Sequence, residues 1–576
     1  MQADDQQSTP EQEESTSAVT GQPILSRRTL LKSLAVGGVG TLAFQRALTA
    51  RVVAAGTVTP QMIEEAQWIA GLELDEKDRS STASRVQRAL NQFDAIRDVD
   101  VDYSVPPALH FHVAPQQPAF NGPLGSVTPS EEVAPALPDS PEQLAFMPLT
   151  ELAALIRTRK ISSMELTRLY LGRLEKYDPL LKCVVTLTPE TALEQAARAD
   201  AEIAAGRYRG ALHGIPWGAK DLIAYPGYPT SWGAPPFKDQ VFEQKATVAQ
   251  RLEQAGAVLV AKLSLGALAM GDRWFGGMTR NPWNPEQGSS GSSAGSASAT
   301  AAGLVGFAIG SETLGSIVSP CRRCGTSGLR PTFGRVSRHG CMSLAWSMDK
   351  LGPICRSIED CALVFGEIHG FDGKDPSAID RPFHWPPRRN LQTIRVGYTE
   401  NGKALKDREE LAVLKELGVE MVPIELPHFL PAGALTIILN VESATVFDEL
   451  TRKGITEGLN SWPSTFQQGQ FIPAVEYLRA NRVRTILMKE MEKVMQEVDC
   501  YVGGNDLTIT NLTGHPTVVL PAGFNNNGAI ETPYSVTFTG QLWGETDLLT
   551  VAHAYQQASG QHLKHPNLPD PEETPQ

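Results

Sequence analysis

The sequence predicts an α/β protein in which helices cover both faces of a sheet, and three observations lead there. Between Phe146 and Gly310, segments carrying helix start and stop signals alternate with short uncharged apolar runs. None of those runs approaches the roughly 20 residues that a membrane-spanning helix needs. With 576 residues, 41% of them hydrophobic and 20% charged, the chain is long enough to bury a large core.

The elements follow in order. Thr150 predicts a helix start with the helix running through Arg159, and Ser162-Ser163-Met164-Glu165 reads as a capping box for a second helix ending near Tyr177-Asp178-Pro179. Thr188-Pro189 opens a third, because proline suits the first helical position. Gly214 to Ile223 reads as strand and turn. A helix from about Ala246 to Ala255 stops at Gly256, and Ala257 to Ala261 is the next strand.

The stretch Gln287 to Ser319 organises the rest. Its two Gly/Ser clusters, Ser289 to Ser293 and Ser311 to Ser316, enclose a small-residue helix candidate, Ala294 to Gly303, and an uncharged strand candidate, Leu304 to Gly310. A solvated spacer has no use for a buried helix and strand between its halves. Glycine beside serine points instead to backbone brought close to a ligand.

These residues carry a resemblance. Gly291-Ser292-Ser293-Ala294-Gly295-Ser296, followed by Glu312-Thr313-Leu314-Gly315-Ser316-Ile317 at a spacing of 24 from Ser292 to Ser316, resembles the amidase signature family. Gly214-Ile215-Pro216-Trp217-Gly218-Ala219-Lys220-Asp221 is similar to the family's lysine motif, and Arg338 to Arg356 and Asn511 to Pro516 also look like family segments. The resemblance covers about residues 145 to 560. It implies a mixed, twisted sheet of many strands surrounded by helices, and an amidase that cleaves a small-molecule amide without metal or other cofactor.

The resemblance also implies roles. Ser316 would be the nucleophile, the backbone amides of Thr313, Leu314, Gly315 and Ser316 the oxyanion hole, and Lys220 the base, acting through Ser292 after a cis peptide bond. A lysine acting as base at neutral pH needs its pKa lowered from about 10.4 to about 7, which burial beside Ile215 and Trp217 can supply. The plainer fate of Lys220 is a surface salt bridge with Asp221. Trp274 and Phe275 lie where the family often lines its substrate pocket, but buried aromatics are also ordinary core. Two departures stand out: Leu314 occupies a position where the family often has glycine, and Val318 one where it often has an arginine able to pair with the acid.

The remainder of the chain reads differently. Ser26-Arg27-Arg28-Thr29-Leu30-Leu31-Lys32, ahead of a mildly apolar run, resembles a twin-arginine export signal over residues 1–55 and predicts a periplasmic or secreted protein. Residues 56–103 predict a helical appendage, 104–144 a proline-rich extended linker, and 145–570 the amidase domain. Phe371 to Arg389 and Asn460 to Ile472 read as loops. The net charge is −13, and because residues 1–55 hold five acids and five bases, it stays −13 without them. That balance disfavours nucleic acid as a partner. No stable membrane insertion is expected, and a homodimer is a possible assembly. Cys321-Arg322-Arg323-Cys324 has CxxC spacing but no second motif beside it, which favours ordinary thiols.

Three rival readings remain. Gly291 to Gly295 fits GxSxG, with His515 or His339 as base, although Asn281 to Pro285 reads as a loop rather than the strand such an elbow needs. The same fold and triad would also suit the glutamyl-tRNA amidotransferase component that carries them, or a catalytically silent binding protein.

Overall fold

A computed structural model of the chain describes residues 56–101, 109, 124–131, 135–399, 408–503, 506–527 and 530–569. The proposed signal at 1–55 lies outside them, as does most of the proline-rich stretch. The centre is an 11-stranded mixed sheet. In spatial order its strands are Val184–Leu187, Val258–Leu263, Pro216–Lys220, Phe307–Glu312, Lys350–Cys355, Ser327–Arg330, Thr517–Asn527, Ile530–Gly540, Cys500–Val502, Arg395–Tyr398 and Glu420–Pro423. Helices cover it, and the α/β expectation holds.

The local signals worked where their chemistry was specific. Ser162 makes the complete capping box with Glu165, and Pro189 opens the helix Pro189–Ala204. Thr150, however, lies inside the helix Leu149–Arg157, whose N-cap is Pro148. The next helix continues past Pro179 to Leu181. Residues 371–389 are irregular as expected, but Asn460 to Ile472 contains the helix Trp462–Gly469, closed onto the core through Trp462 and Phe466.

The helix Glu76–Arg97, in the segment predicted as a helical appendage, packs onto the rest of the chain. Ala89, Phe93 and Ile96 are buried in the same apolar cluster as Leu435, Ile438, Ala480 and Val483. The described residues from Val58 onward form one compact unit. The extended stretch is likewise tied down where it is described: Trp385 donates its N–H to Ser126 O at 2.9 Å, and Thr128 donates to Trp385 O at 3.0 Å.

For the site, the decisive feature is the pairing of Pro216–Lys220, in parallel, with both Val258–Leu263 and Phe307–Glu312. Trp217 pairs with Phe307 and Ala219 with Ile309, so Lys220 ends its strand beside the end of the strand that leads into Thr313 to Ser316. The all-small helix Ala294–Ala301 is wholly buried, which lets backbone on every side approach it closely.

Candidate active site

Lys220 is fully buried at the end of its strand. Its Nζ lies 2.8 Å from Ser292 Oγ, 3.0 Å from Ser293 Oγ, 2.9 Å from Ser311 Oγ and 3.3 Å from the Ser311 carbonyl oxygen. No carboxylate is among these partners. Burial therefore pulls Lys220 down to about 7, with the negative charges of Asp349 and Glu312 only partly opposing it. A neutral amine has two N–H donors and one lone pair, so it can both donate to the Ser311 carbonyl and accept from a serine hydroxyl.

The salt-bridge alternative fails because Asp221 faces another lysine. Lys262 Nζ sits 2.6 Å from Asp221 Oδ1, with both side chains buried, and Asp221 also accepts from the Ser231 N–H at 2.9 Å and from the Ser231 hydroxyl. The Lys-Asp dipeptide thus splits across its strand, one side chain entering an ion pair and the other the serine cluster.

The peptide bond between Gly291 and Ser292 is cis. A Cβ at Gly291 would stand 1.9 Å from the Gly271 carbonyl oxygen, so only glycine fits before Ser292. The next residue, Ser293, donates its N–H to Ser316 O at 3.0 Å and binds the two serine loops together. Ser316 is 9% exposed. Gly315 before it has φ +85°, a left-handed conformation that glycine adopts without strain. Among the described residues, none of the N–H groups of Thr313, Leu314, Gly315 and Ser316 donates to another protein group. They remain available for an oxygen anion.

What shapes this loop is a buried ion cluster that the sequence did not reveal. Glu312 accepts from the Ile317 and Val318 N–H groups at 2.9 and 3.0 Å, from Asn511 at 2.8 Å, and from the Arg330 guanidinium at 2.7 Å. Burial would raise its pKa, but Arg330 and Lys350 hold it at about 2. Arg330 thus stands in for the arginine missing at Val318. Asp349 accepts from the Thr313 hydroxyl at 2.6 Å and from the Leu344 and Ala345 N–H groups at 2.7 and 3.0 Å, pinning the other end of the loop.

Of the other expected residues, Trp274 donates its indole N–H to Lys182 O at 3.2 Å, and Phe275 is 41% exposed. Neither has a hydrogen bond or ring contact to Lys220, Ser292 or Ser316 among the described residues. Their neighbour Asp272 reaches the serine loop instead, accepting from the Ser290 N–H at 3.0 Å. A hollow walled by Leu222, Ala269, Met342 and Leu344 opens beside Ser311 and Thr313. Cys321 and Cys324 are buried, unbridged thiols on the helix Val318–Cys324.

The GxSxG alternative loses one of its two candidate bases. His515 is buried and bonded through Nδ1 to Thr513 Oγ1 at 2.8 Å, and burial beside Arg330 pulls it down to about 3. Residues 284–288 are a strand, contrary to the expected loop, but it belongs to a separate two-stranded hairpin outside the main sheet.

Ser293, which the sequence suggests only as a residue holding the loop, and Ser311, to which it gives no role, are both bonded to Lys220. The signal for Ser311 was the strand register: once Ala219 sits opposite Ile309, the residue at 311 must flank the lysine tip.

Comparison with known proteins identifies the family. The family model described as Amidase matches residues 165–503. The putative amidase AmiD of Mycobacterium tuberculosis is 34% identical over 462 residues, covering 74% of this chain and 97% of the relative. A glutamyl-tRNA(Gln) amidotransferase subunit of Methylococcus capsulatus is 32% identical over 480 residues, covering 73% and 98%. The crystal structure of the peptide amidase from Stenotrophomonas maltophilia superposes with a TM-score of 0.64 at 28% identity, covering 73% of this chain and 98% of that one. The chain belongs to the amidase signature family.

Proposed function

We propose that the protein hydrolyses a carboxylic amide to an acid and an amine through an acyl-enzyme on Ser316. The observation that carries this reading is Lys220 Nζ, fully buried, free of any carboxylate partner and 2.8 Å from Ser292 Oγ. The neutral amine takes the Ser292 proton while Ser292 Oγ takes that of Ser316, and Ser316 Oγ forms the bond to the carbonyl carbon. The amides of Thr313 to Ser316 receive the oxyanion. On collapse the C–N bond breaks, and the proton held on Lys220 returns through Ser292 to the leaving nitrogen. Water then attacks the ester by the same relay. A fluorophosphonate probe should label the native protein and leave Ser316→Ala unlabelled, and a panel of aliphatic, aromatic and peptide amides should find turnover that Ser316→Ala lacks. A native protein that resists the probe would overturn the reading.

Relatives of comparable identity named as amidotransferase subunits favour one second reading, in which the acyl group or ammonia passes to a partner. Purification of the native complex separates the two, because the second requires a tightly held companion protein. We further propose export through Arg27 and Arg28. Replacing both with lysine should retain the protein inside the cell.

A further inference from the structure

Asn460 is exposed, yet both N–H groups of its side-chain amide are engaged by one loop beside the serine cluster. They donate to Met270 O at 2.9 Å and to Arg273 O at 3.0 Å, tying together two carbonyls three residues apart. The next two residues hold the same loop. The Ser461 hydroxyl donates to Met270 Sδ at 2.9 Å, and the Trp462 indole N–H to Ala267 O at 3.2 Å. Asn460 itself has φ +54°, a left-handed conformation that asparagine adopts more readily than most L-residues.

The loop needs an external hold. Leu268 and Ala269, consecutive and neither of them glycine, have φ +49° and +62°, conformations that persist only where the surroundings impose them. Gly271 and Asp272, the two residues that Asn460 spans, face the serine loop. Asp272 accepts the Ser290 N–H at 3.0 Å, and Ser290 is itself left-handed at φ +61°. The Gly271 carbonyl oxygen lies so close to Gly291 that a Cβ there would stand 1.9 Å from it. Ser290 and Gly291 immediately precede Ser292, whose Oγ is 2.8 Å from Lys220 Nζ. Hydrogen bonds and close contacts thus run unbroken from the Asn460 amide to the backbone that carries Ser292.

We infer that Asn460 is a positioning residue for the Ser292 relay, acting through Met270 to Arg273 on Ser290 and Gly291. The inference rests on the amidase reading above. A hydroxyl that passes a proton has to keep its distance to the base and to the nucleophile at once, and a misplacement of about 1 Å can cost about 10²-fold in rate. Asn460 makes no hydrogen bond to Lys220, Ser292 or Ser316 among the described residues, so its effect is carried by the loop alone.

Two substitutions isolate the amide. Asn460→Asp keeps the side-chain shape and replaces both donors with acceptors, and Asn460→Gly keeps the backbone conformation and removes the side chain. Each should slow the labelling of Ser316 by a fluorophosphonate about tenfold. In a Ser292→Ala background each should slow it less than about twofold, because the group they misplace is already gone. Equal slowing in both backgrounds would overturn the inference, since a residue that merely stabilises the fold acts with or without Ser292. Hydrogen exchange over residues 286–293 reads the hold on the serine loop without any reaction at Ser316. It should be about tenfold faster in Asn460→Asp than in the native protein, and unchanged exchange would also overturn the inference. A native protein that resists the probe while Asn460→Asp still speeds this exchange would overturn the hydrolase reading and leave the hold of Asn460 on the serine loop standing.

Discussion

At the scale of single residues, the protein keeps an amine where the medium strongly opposes its charge. Moving Lys220 from its ordinary 10.5 to about 7 corresponds to roughly 5 kcal/mol of differential interaction between its two protonation states. Three hydroxyls and a carbonyl replace water without supplying a counter-ion. In the proposed mechanism the unprotonated amine is the base, so kcat/KM for an amide should fall about tenfold per pH unit below about 7 and level off above it, in a rate profile taken from pH 5 to 9. Asp349 holds the lysine's pKa up, so Asp349→Asn should move that acidic limb to lower pH; a limb that stays in place would dissociate it from Lys220. Lys220→Met should lower kcat by about 10⁴ while the folded structure persists by circular dichroism. The family resemblance named Lys220, Ser292 and Ser316 from the sequence, and the fold brings Lys220 and Ser292 within hydrogen-bond distance. The partners that tune them were not legible there, since Ser311 and Asp349 reach the lysine's surroundings only through strand register and loop closure.

At the scale of elements, the turn from the strand Phe307–Glu312 into the helix Val318–Cys324 is shaped by ions beneath it. Glu312 binds the amides of Ile317 and Val318 where the helix begins, and Arg330 neutralises it from two strands away in the same sheet. Both side chains are fully buried. Arg330→Met should therefore destabilise by about 3–5 kcal/mol in denaturant melts, and adding Glu312→Gln should recover much of that, because the loss comes mainly from stranding a buried charge. Recovery of stability without recovery of rate would show that the carboxylate shapes the amides as well as neutralising the arginine. Gly315→Ala is a smaller change in the same turn: at φ +85° it costs about 1–2 kcal/mol and brings a methyl 3.0 Å from Ser319 Oγ. Its kcat should fall more than its thermal stability. Sequence reading found the helix Ala294–Ala301 and set the next strand at Leu304 to Gly310, where the strand is Phe307–Glu312, and it made no expectation for the helix Val318–Cys324. It could not supply the Glu312–Arg330 pair, which joins residues 18 apart through a sheet order that sequence order does not reveal.

At the scale of the whole molecule, the sequence predicts the N-terminal helical segment but not the surface it packs against. Charged residues dominate Glu76–Arg97, and a helix so polar on average looks solvent-bound until its partner is known. Its narrow apolar stripe, Val86, Ala89, Phe93 and Ile96, is in fact 0–3% exposed. Polar contacts extend the seam on both sides. Thr82 donates to Gln467 Oε1 at 3.1 Å, Arg85 to Thr465 Oγ1 at 3.0 Å, and Arg97 to the buried Glu476 at 2.7 Å. An appendage and a structural helix make opposite predictions for a chain beginning at residue 104. Removing an appendage leaves the melting temperature unchanged. Removing this helix uncovers Leu435, Ile438, Ala480 and Val483 and forfeits the burial of three large apolar side chains, about 6 kcal/mol at roughly 2 kcal/mol each. That is a large fraction of a domain's net stability. The truncated chain should melt at least about 10 °C lower and bind a hydrophobic dye before it unfolds. Truncation only to residue 57 should do neither, because the compact unit begins at Val58. A chain from residue 104 that melts with the native profile would return the helix to the status of an appendage.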